Sequence, residues 1–179
     1  MAESRTIEER VKDYLEIRKA AAELYATFGV IQCPALGDQN VHFTSGGFNH
    51  LVYKAPKKPR DERVQILRFD MLEKAKFILE TSTTYQEYDE DIINKKVNRR
   101  GAWVYKNVVI RCWGFIAIVR KFRVKVVVRQ EGNGQLEFQS VVPAWFTKQY
   151  RDIKLIQTST GKGLRDENDD EVLKNATQG

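Results

Sequence analysis

The sequence predicts an α+β fold, with N-terminal helices packed on a C-terminal antiparallel β-sheet of about four strands. Three observations carry this. Apolar residues in the first half recur at helical spacing, those after residue 101 have strand composition, and a Gly-Asn-Gly turn lies between two strand-like runs. Helices first and a strand meander afterwards is the α+β order. A length of 179 residues suits one domain over about 1–160, followed by a flexible acidic tail over 161–179. A hydrophobic content of 42%, with 9 Phe, 7 Tyr and 3 Trp, suffices for a core and excludes a fully disordered chain.

The first helix is expected over about residues 5–28, where Ile7, Val11, Tyr14, Ala21, Tyr25 and Phe28 follow helical spacing and Gly29 supplies a stop. Residues 40–44 alternate as a short strand would, and Ser45-Gly46-Gly47 has turn chemistry. The basic loop KAPKKPRDER leads into a second helix over about 61–80, marked by Val64, Leu67, Met71, Leu72, Ala75, Ile78 and Leu79. Residues 82–94 are polar and acidic, as in a loop or short helix. Strands follow at 102–111, 113–120, 123–129 and 136–142, rich in Val, Ile, Phe and Trp. Glu131-Gly132-Asn133-Gly134 is a hairpin turn between the last two, and Lys121-Phe122 a tight connection before them.

Charge is unevenly spread. The net charge is +6, but residues 161–179 hold three bases against five acids, which leaves +8 on the rest. Residues 95–125 carry ten Lys or Arg and no Asp or Glu. A one-sign block within folded structure suits a polyanion such as RNA, although a solvated face has the same composition. In the strand at 123–129, Val124, Val126 and Val128 point one way while Arg123, Lys125 and Arg129 form a cation ladder on the other. Trp145, after Pro143 at a strand end, is placed to stack on bases; Trp113 reads as core.

Two histidines exist, His42 and His50, both within HFTSGGFNHLVYK. If Ser45-Gly46-Gly47 closes a hairpin, they fall opposite one another, about 5 Å apart. Two facing imidazoles could act as general base and general acid on one phosphodiester, with Lys54 stabilising the developing charge. Alternatively one or both rings bond backbone, or a helix starts from Asn49 onward and the pairing never forms. Arg68 falls inside the apolar stripe of the second helix, so it must pair, snorkel or line a site. Arg18 is similarly placed in the first helix. Ser140 shares a strand face with Leu136, Phe138 and Val142, where its hydroxyl could bond a phosphate or a buried partner.

Several classes are excluded. The motifs GxGxxG, GxxxxGK[ST] and GxSxG are missing, and Cys33 and Cys112 form neither a CxxC nor a disulfide pattern. The acidic run EYDED reads as solvated rather than metal-binding, so no metal or cofactor is expected. The first ten residues have no apolar core of a signal peptide, and no apolar run reaches the 18 or so residues of a membrane span, so a cytoplasmic protein with no membrane partner is expected.

The segments HFTSGGFNHLVYK, PRDERVQILRFDMLEKAKFILE and WGFIAIVRKFRVKVVVRQEGNGQLEFQSVVPAW resemble uncharacterised bacterial proteins similar to the phage-associated branch of the barnase–EndoU–colicin–RelE (BECR) superfamily of ribonucleases. The resemblance covers about residues 42–145. It implies a helix-then-antiparallel-sheet domain that cleaves RNA without metal, in toxin, phage or conflict settings. It also implies a site built from His42 or His50, Lys54, Arg68 and Ser140. The expected function is therefore a metal-independent endoribonuclease acting on RNA, with an antitoxin or other protein as a further partner. The alternative is a non-catalytic nucleic-acid-binding module, or a toxin or phage partner protein, on the same fold.

Overall fold

The computed structural model describes residues 5–119 and 122–144. The expected tail at 161–179 and Trp145 lie outside the described residues. Thr6 opens the first helix with a reciprocal cap, its hydroxyl accepting from the Glu9 amide while the Glu9 carboxylate accepts from the Thr6 amide. The expected single N-terminal helix is two, α1 (Ile7–Val11) and α2 (Tyr14–Ala26). The second expected helix is likewise two, α4 (Glu62–Phe69) and α5 (Leu72–Thr81), after the short α3 (Ser45–Val52). Both breaks carry an aspartate, Asp13 and Asp70. Arg10 takes Asp70 with two bonds, at 2.7 and 2.6 Å, which pins α1 to the joint between α4 and α5.

The main sheet has six strands rather than about four: β1 (Val30–Cys33), β2 (Gln39–His42), β5 (Glu87–Arg99), β6 (Ala102–Val119), β7 (Phe122–Glu131) and β8 (Leu136–Ala144), in the spatial order β1-β2-β8-β7-β6-β5. It is mixed, because β2 runs parallel to β8, pairing Val41 with Leu136 and His42 with Glu137. Strands β3 (Tyr53–Ala55) and β4 (Lys58–Pro59) form a separate small hairpin where a basic loop was expected. The expected strands at 102–111 and 113–120 are one continuous β6, since nothing between Arg111 and Trp113 interrupts the ladder. The acidic stretch expected as a loop is the start of β5. This strand lies at the sheet edge and is largely exposed, so its residues show little apolar alternation.

The helices cover one face of the sheet. Val124, Val126, Val128, Phe115, Phe138 and Val141 meet Leu51, Ile66, Phe69, Leu72, Ala75, Ile78 and Leu79, all buried. At about 1.5–3 kcal/mol for each large apolar side chain removed from water, this layer is the main source of stability. Phe43 stacks on Phe138 at 4.9 Å and Phe48 on Phe69 at 5.7 Å, closing the end of the core beneath α3. Among the described residues no helix is long and apolar enough to cross a membrane.

A bulge in β8 changes which residues share a face. Val128 opposes Phe138 but Val127 opposes Ser140, so Gln139 is the extra residue. Ser140 and Val142 therefore point away from the face of Phe138, and Val141 takes the core position. The expected common face of Leu136, Phe138, Ser140 and Val142 holds only for its first half.

Candidate functional site

The segment HFTSGGFNHLVYK is the last residue of β2, the whole of α3 and the start of β3. Ser45-Gly46-Gly47 is the first turn of a helix and not a hairpin loop. The reason is packing against β8. A β-carbon on Gly47 would collide with the Phe138 carbonyl oxygen and the Tyr25 hydroxyl, so glycine here allows α3 to approach the sheet closely. Tyr25 completes the contact by donating to the Thr44 carbonyl at 2.9 Å, and burial raises its pKa. With Gly47, Leu51 and Val52 buried, the residues on the opposite side of α3 face outward.

Of these, Gly46, Asn49 and His50, with Tyr53 just past the helix end, line one wall of a cleft of about 690 Å³. Lys54, Ala55, Pro56 and Lys57 of the β3–β4 hairpin line the other. Pro56 and Lys57 form the turn between Ala55 and Lys58, and Lys57 takes a positive φ of 61°, a conformation that L side chains adopt at a cost. The lining holds an imidazole, two ammonium groups, a phenol and an amide, and no carboxylate. Arg18 of α2 stands beside the hydroxyls of Tyr53 and Tyr14, adding a cation behind that wall.

A buried polar chain fixes the wall in place. Tyr14 donates to Gln65 Oε1 at 2.6 Å, Gln65 donates to the Arg60 carbonyl at 2.8 Å, and Arg60 Nε donates to the His50 carbonyl at 3.0 Å. The Arg60 amide also donates to the Val52 carbonyl at 2.8 Å. These bonds satisfy carbonyls at the C-terminal end of α3, where helical partners run out. Arg60 and Gln65 are both buried, and neither stood out in the sequence, since a cation after a proline reads as a loop residue.

The other expected site residues are distributed elsewhere. His42 closes β2, opposite Val30 and beside Glu137, and does not line the cleft. The expected cross-strand pairing of His42 with His50 is replaced by a strand end and a helix. Arg68 and Ser140 are brought together, but in the interior. Arg68 Nη1 donates to Ser140 Oγ at 2.8 Å and to the Val141 carbonyl at 3.1 Å, with both side chains buried. Strand β2 pairs with β8 only at Leu136 and Glu137, so among the described residues the edge of β8 has no strand beside it beyond that point, and Arg68 supplies a donor there.

The cation ladder is largely neutralised. Lys125 meets Glu87 at 2.9 Å with both side chains mostly buried, and Arg129 lies 3.7 Å from Glu131. Arg123 is half-buried on the same strand. The EYDED run supplies counter-charge to the sheet: Glu87 pairs with Lys125, and Glu90 accepts from Arg111 at 3.0 Å and from Tyr88 at 2.8 Å. Trp113 packs against the core and against Tyr88.

Neither a family model, nor a curated protein, nor a solved structure matches the chain.

Proposed function

We propose that the protein is a metal-independent endoribonuclease of BECR-like kind and that RNA is cut in the cleft between α3 and the β3–β4 hairpin. The observation that carries this is the carboxylate-free lining, in which His50, Lys54 and Lys57 surround one open space. An anionic phosphodiester enters such a site without repulsion, and RNA brings its own nucleophile, the 2′-hydroxyl. The order of helices followed by the antiparallel run β5-β6-β7-β8 also supports the family reading.

In the reaction, the 2′-oxygen attacks the adjacent phosphorus and the bond to the 5′-oxygen breaks. His50 takes the 2′-hydroxyl proton, because imidazole exchanges protons readily near neutral pH. Lys54 and Lys57 hold the charge that builds on the non-bridging oxygens. The leaving 5′-oxygen takes a proton from the Tyr53 hydroxyl or the Lys54 ammonium. The products are a 2′,3′-cyclic phosphate and a free 5′-hydroxyl. Arg68 and Ser140 act as structural supports for β8, and His42 takes no part.

The test is incubation of the protein with single-stranded and structured RNA in EDTA, beside His50→Gln, Lys54→Gln and His42→Ala. Wild type and His42→Ala are expected to leave cyclic phosphate ends, and His50→Gln to lose about 10²–10⁴-fold in rate. Intact RNA with the wild type overturns the reading.

A further inference from the structure

Strands β5 and β6 run far past the rest of the sheet. Strand β7 accompanies β6 only as far as Ile110, opposite Glu131, with one further bond from the Gly132 amide to the Val109 carbonyl. From Ile92 opposite Val109 to Arg99 opposite Ala102 the two strands continue with no third strand among the described residues, as a ribbon roughly 25 Å long at about 3.3 Å per residue. The ribbon holds Lys95, Lys96, Arg99, Arg100 and Lys106, and its sequence has no Asp or Glu between residues 92 and 130. Lys95 pairs with Glu131 at the root. Among the described residues Lys96, Arg99, Arg100 and Lys106 make no ion pair.

The register separates the two faces. Directly opposed residues share a side, so Ile92, Asn94, Lys96 and Asn98 lie with Trp103, Tyr105, Asn107 and Val109. Trp103 is 63% exposed and Tyr105 72%, values far above what a monomer needs for aromatic rings. Lys96 stands 5.6 Å from the Trp103 ring centre and Asn94 donates to Asn107 at 3.0 Å, which holds this face in order. At the tip, Arg100 (φ 51°) and Gly101 (φ 85°) make a two-residue turn in which the first position favours Asn, Asp or Gly. An arginine there accepts backbone cost to carry a cation at the extremity.

We propose that this ribbon is a binding arm for single-stranded polynucleotide, with unpaired bases stacking on Trp103 and Tyr105, phosphates held by Lys96 on the same face and Arg100 at the tip, and Arg99 and Lys106 of the opposite face taking phosphates where the strand wraps round the ribbon. Stacking requires a base face that a closed duplex does not offer, so the aromatic side selects unpaired segments. A second copy of this chain is a poor occupant, since it would place one acid-free ribbon against another. The inference deepens the ribonuclease reading by naming the part of the substrate that is recognised, and rests on that reading only for the choice of RNA over DNA.

The experiment is fluorescence anisotropy with a labelled oligouridine, an oligothymidine of equal length and a duplex. It uses His50→Gln as the parent, so that the probe stays intact. Adding Trp103→Ala and Tyr105→Ala is expected to weaken single-strand binding by about tenfold per ring. Adding Arg99→Gln and Arg100→Gln is expected to lower the salt slope by about 0.7 per charge removed. Tighter binding of oligouridine identifies RNA, and equal binding identifies single strands of either sugar; both support the arm. Unchanged affinity in both ribbon variants, a preference for duplex, or a dimer in the absence of nucleic acid that the aromatic substitutions dissolve would overturn it. Wild-type cleavage with unaffected ribbon variants removes the arm alone, whereas ribbon-dependent binding without cleavage removes the ribonuclease alone.

Discussion

In the body of the sheet Lys125 meets Glu87, Arg111 meets Glu90, and Tyr25, Phe43 and Phe138 pack ring against ring; in the ribbon four cations and two large rings meet solvent. The two regions share a strand, since β6 passes from one to the other without interruption. What separates them is company: among the described residues the ladder has no third strand beyond Ile110, so side chains that would be buried in the body meet solvent. A basic sequence block thus divides into a structural half and an available half, and the boundary is the end of β7 and not a change in composition.

The comparison breaks first at the interior. Arg68→Ala removes the donor to Ser140 and Val141 and leaves a buried cavity, and is expected to cost about 3 kcal/mol or more, measured by urea unfolding. Gly47→Ala pushes a methyl group into Phe138 and Tyr25 and should cost about 1–3 kcal/mol, with a loss of cleavage that follows the displaced α3 wall. Next comes the contrast between cations. Lys125→Gln breaks a largely buried pair and should cost about 1 kcal/mol with no change in the salt slope of RNA binding, whereas Arg99→Gln should change stability by less than about 0.5 kcal/mol and lower that slope. A Lys125 variant that binds RNA as weakly as an Arg99 variant would erase the distinction.

The smallest effect lies at the root of the ribbon. Hydrogen bonds from Tyr88 and Arg111 hold the Glu90 carboxyl below its ordinary pKa. A depressed folded value means that its contribution is complete above the unfolded carboxylate pKa, near 4.3, and is lost as pH falls through the folded value. The acid limb of a melting-temperature profile should therefore flatten slightly in Glu90→Gln, and an unchanged limb would show that this contact does not tie the ribbon to the body.

Much of this was legible in the residues. Periodicity located the two helical stretches that hold α1–α2 and α4–α5, but neither their breaks at Asp13 and Asp70 nor α3, and the inward position of Arg68 followed from its angle among Val64, Leu67 and Leu72. That the histidines do not pair was not legible, because Ser-Gly-Gly is turn chemistry in isolation and becomes a helix start only through the close approach of Gly47 to β8. The strand β5 escaped because an exposed edge strand need not alternate, and the bulge at Gln139 reversed Ser140 in a run that reads as regular. The lining of the cleft holds His50 and Lys54 together with Asn49, Tyr53 and Lys57; the i, i+3, i+4, i+7 spacing of Gly46, Asn49, His50 and Tyr53 becomes visible only once the helix is recognised, and Lys57 enters only through the β3–β4 turn.

The seat of α3 on β8 has a consequence for synthesis. Val41 pairs with Leu136, and Gly47 fits against Phe138, so the early segment that carries His50 is shaped by residues translated much later. Contacts so distant along the chain form slowly. A nascent chain would expose His50 and Lys54 well before β8 emerges to order them, so the cleft stays unassembled until the last strand of the sheet has left the ribosome.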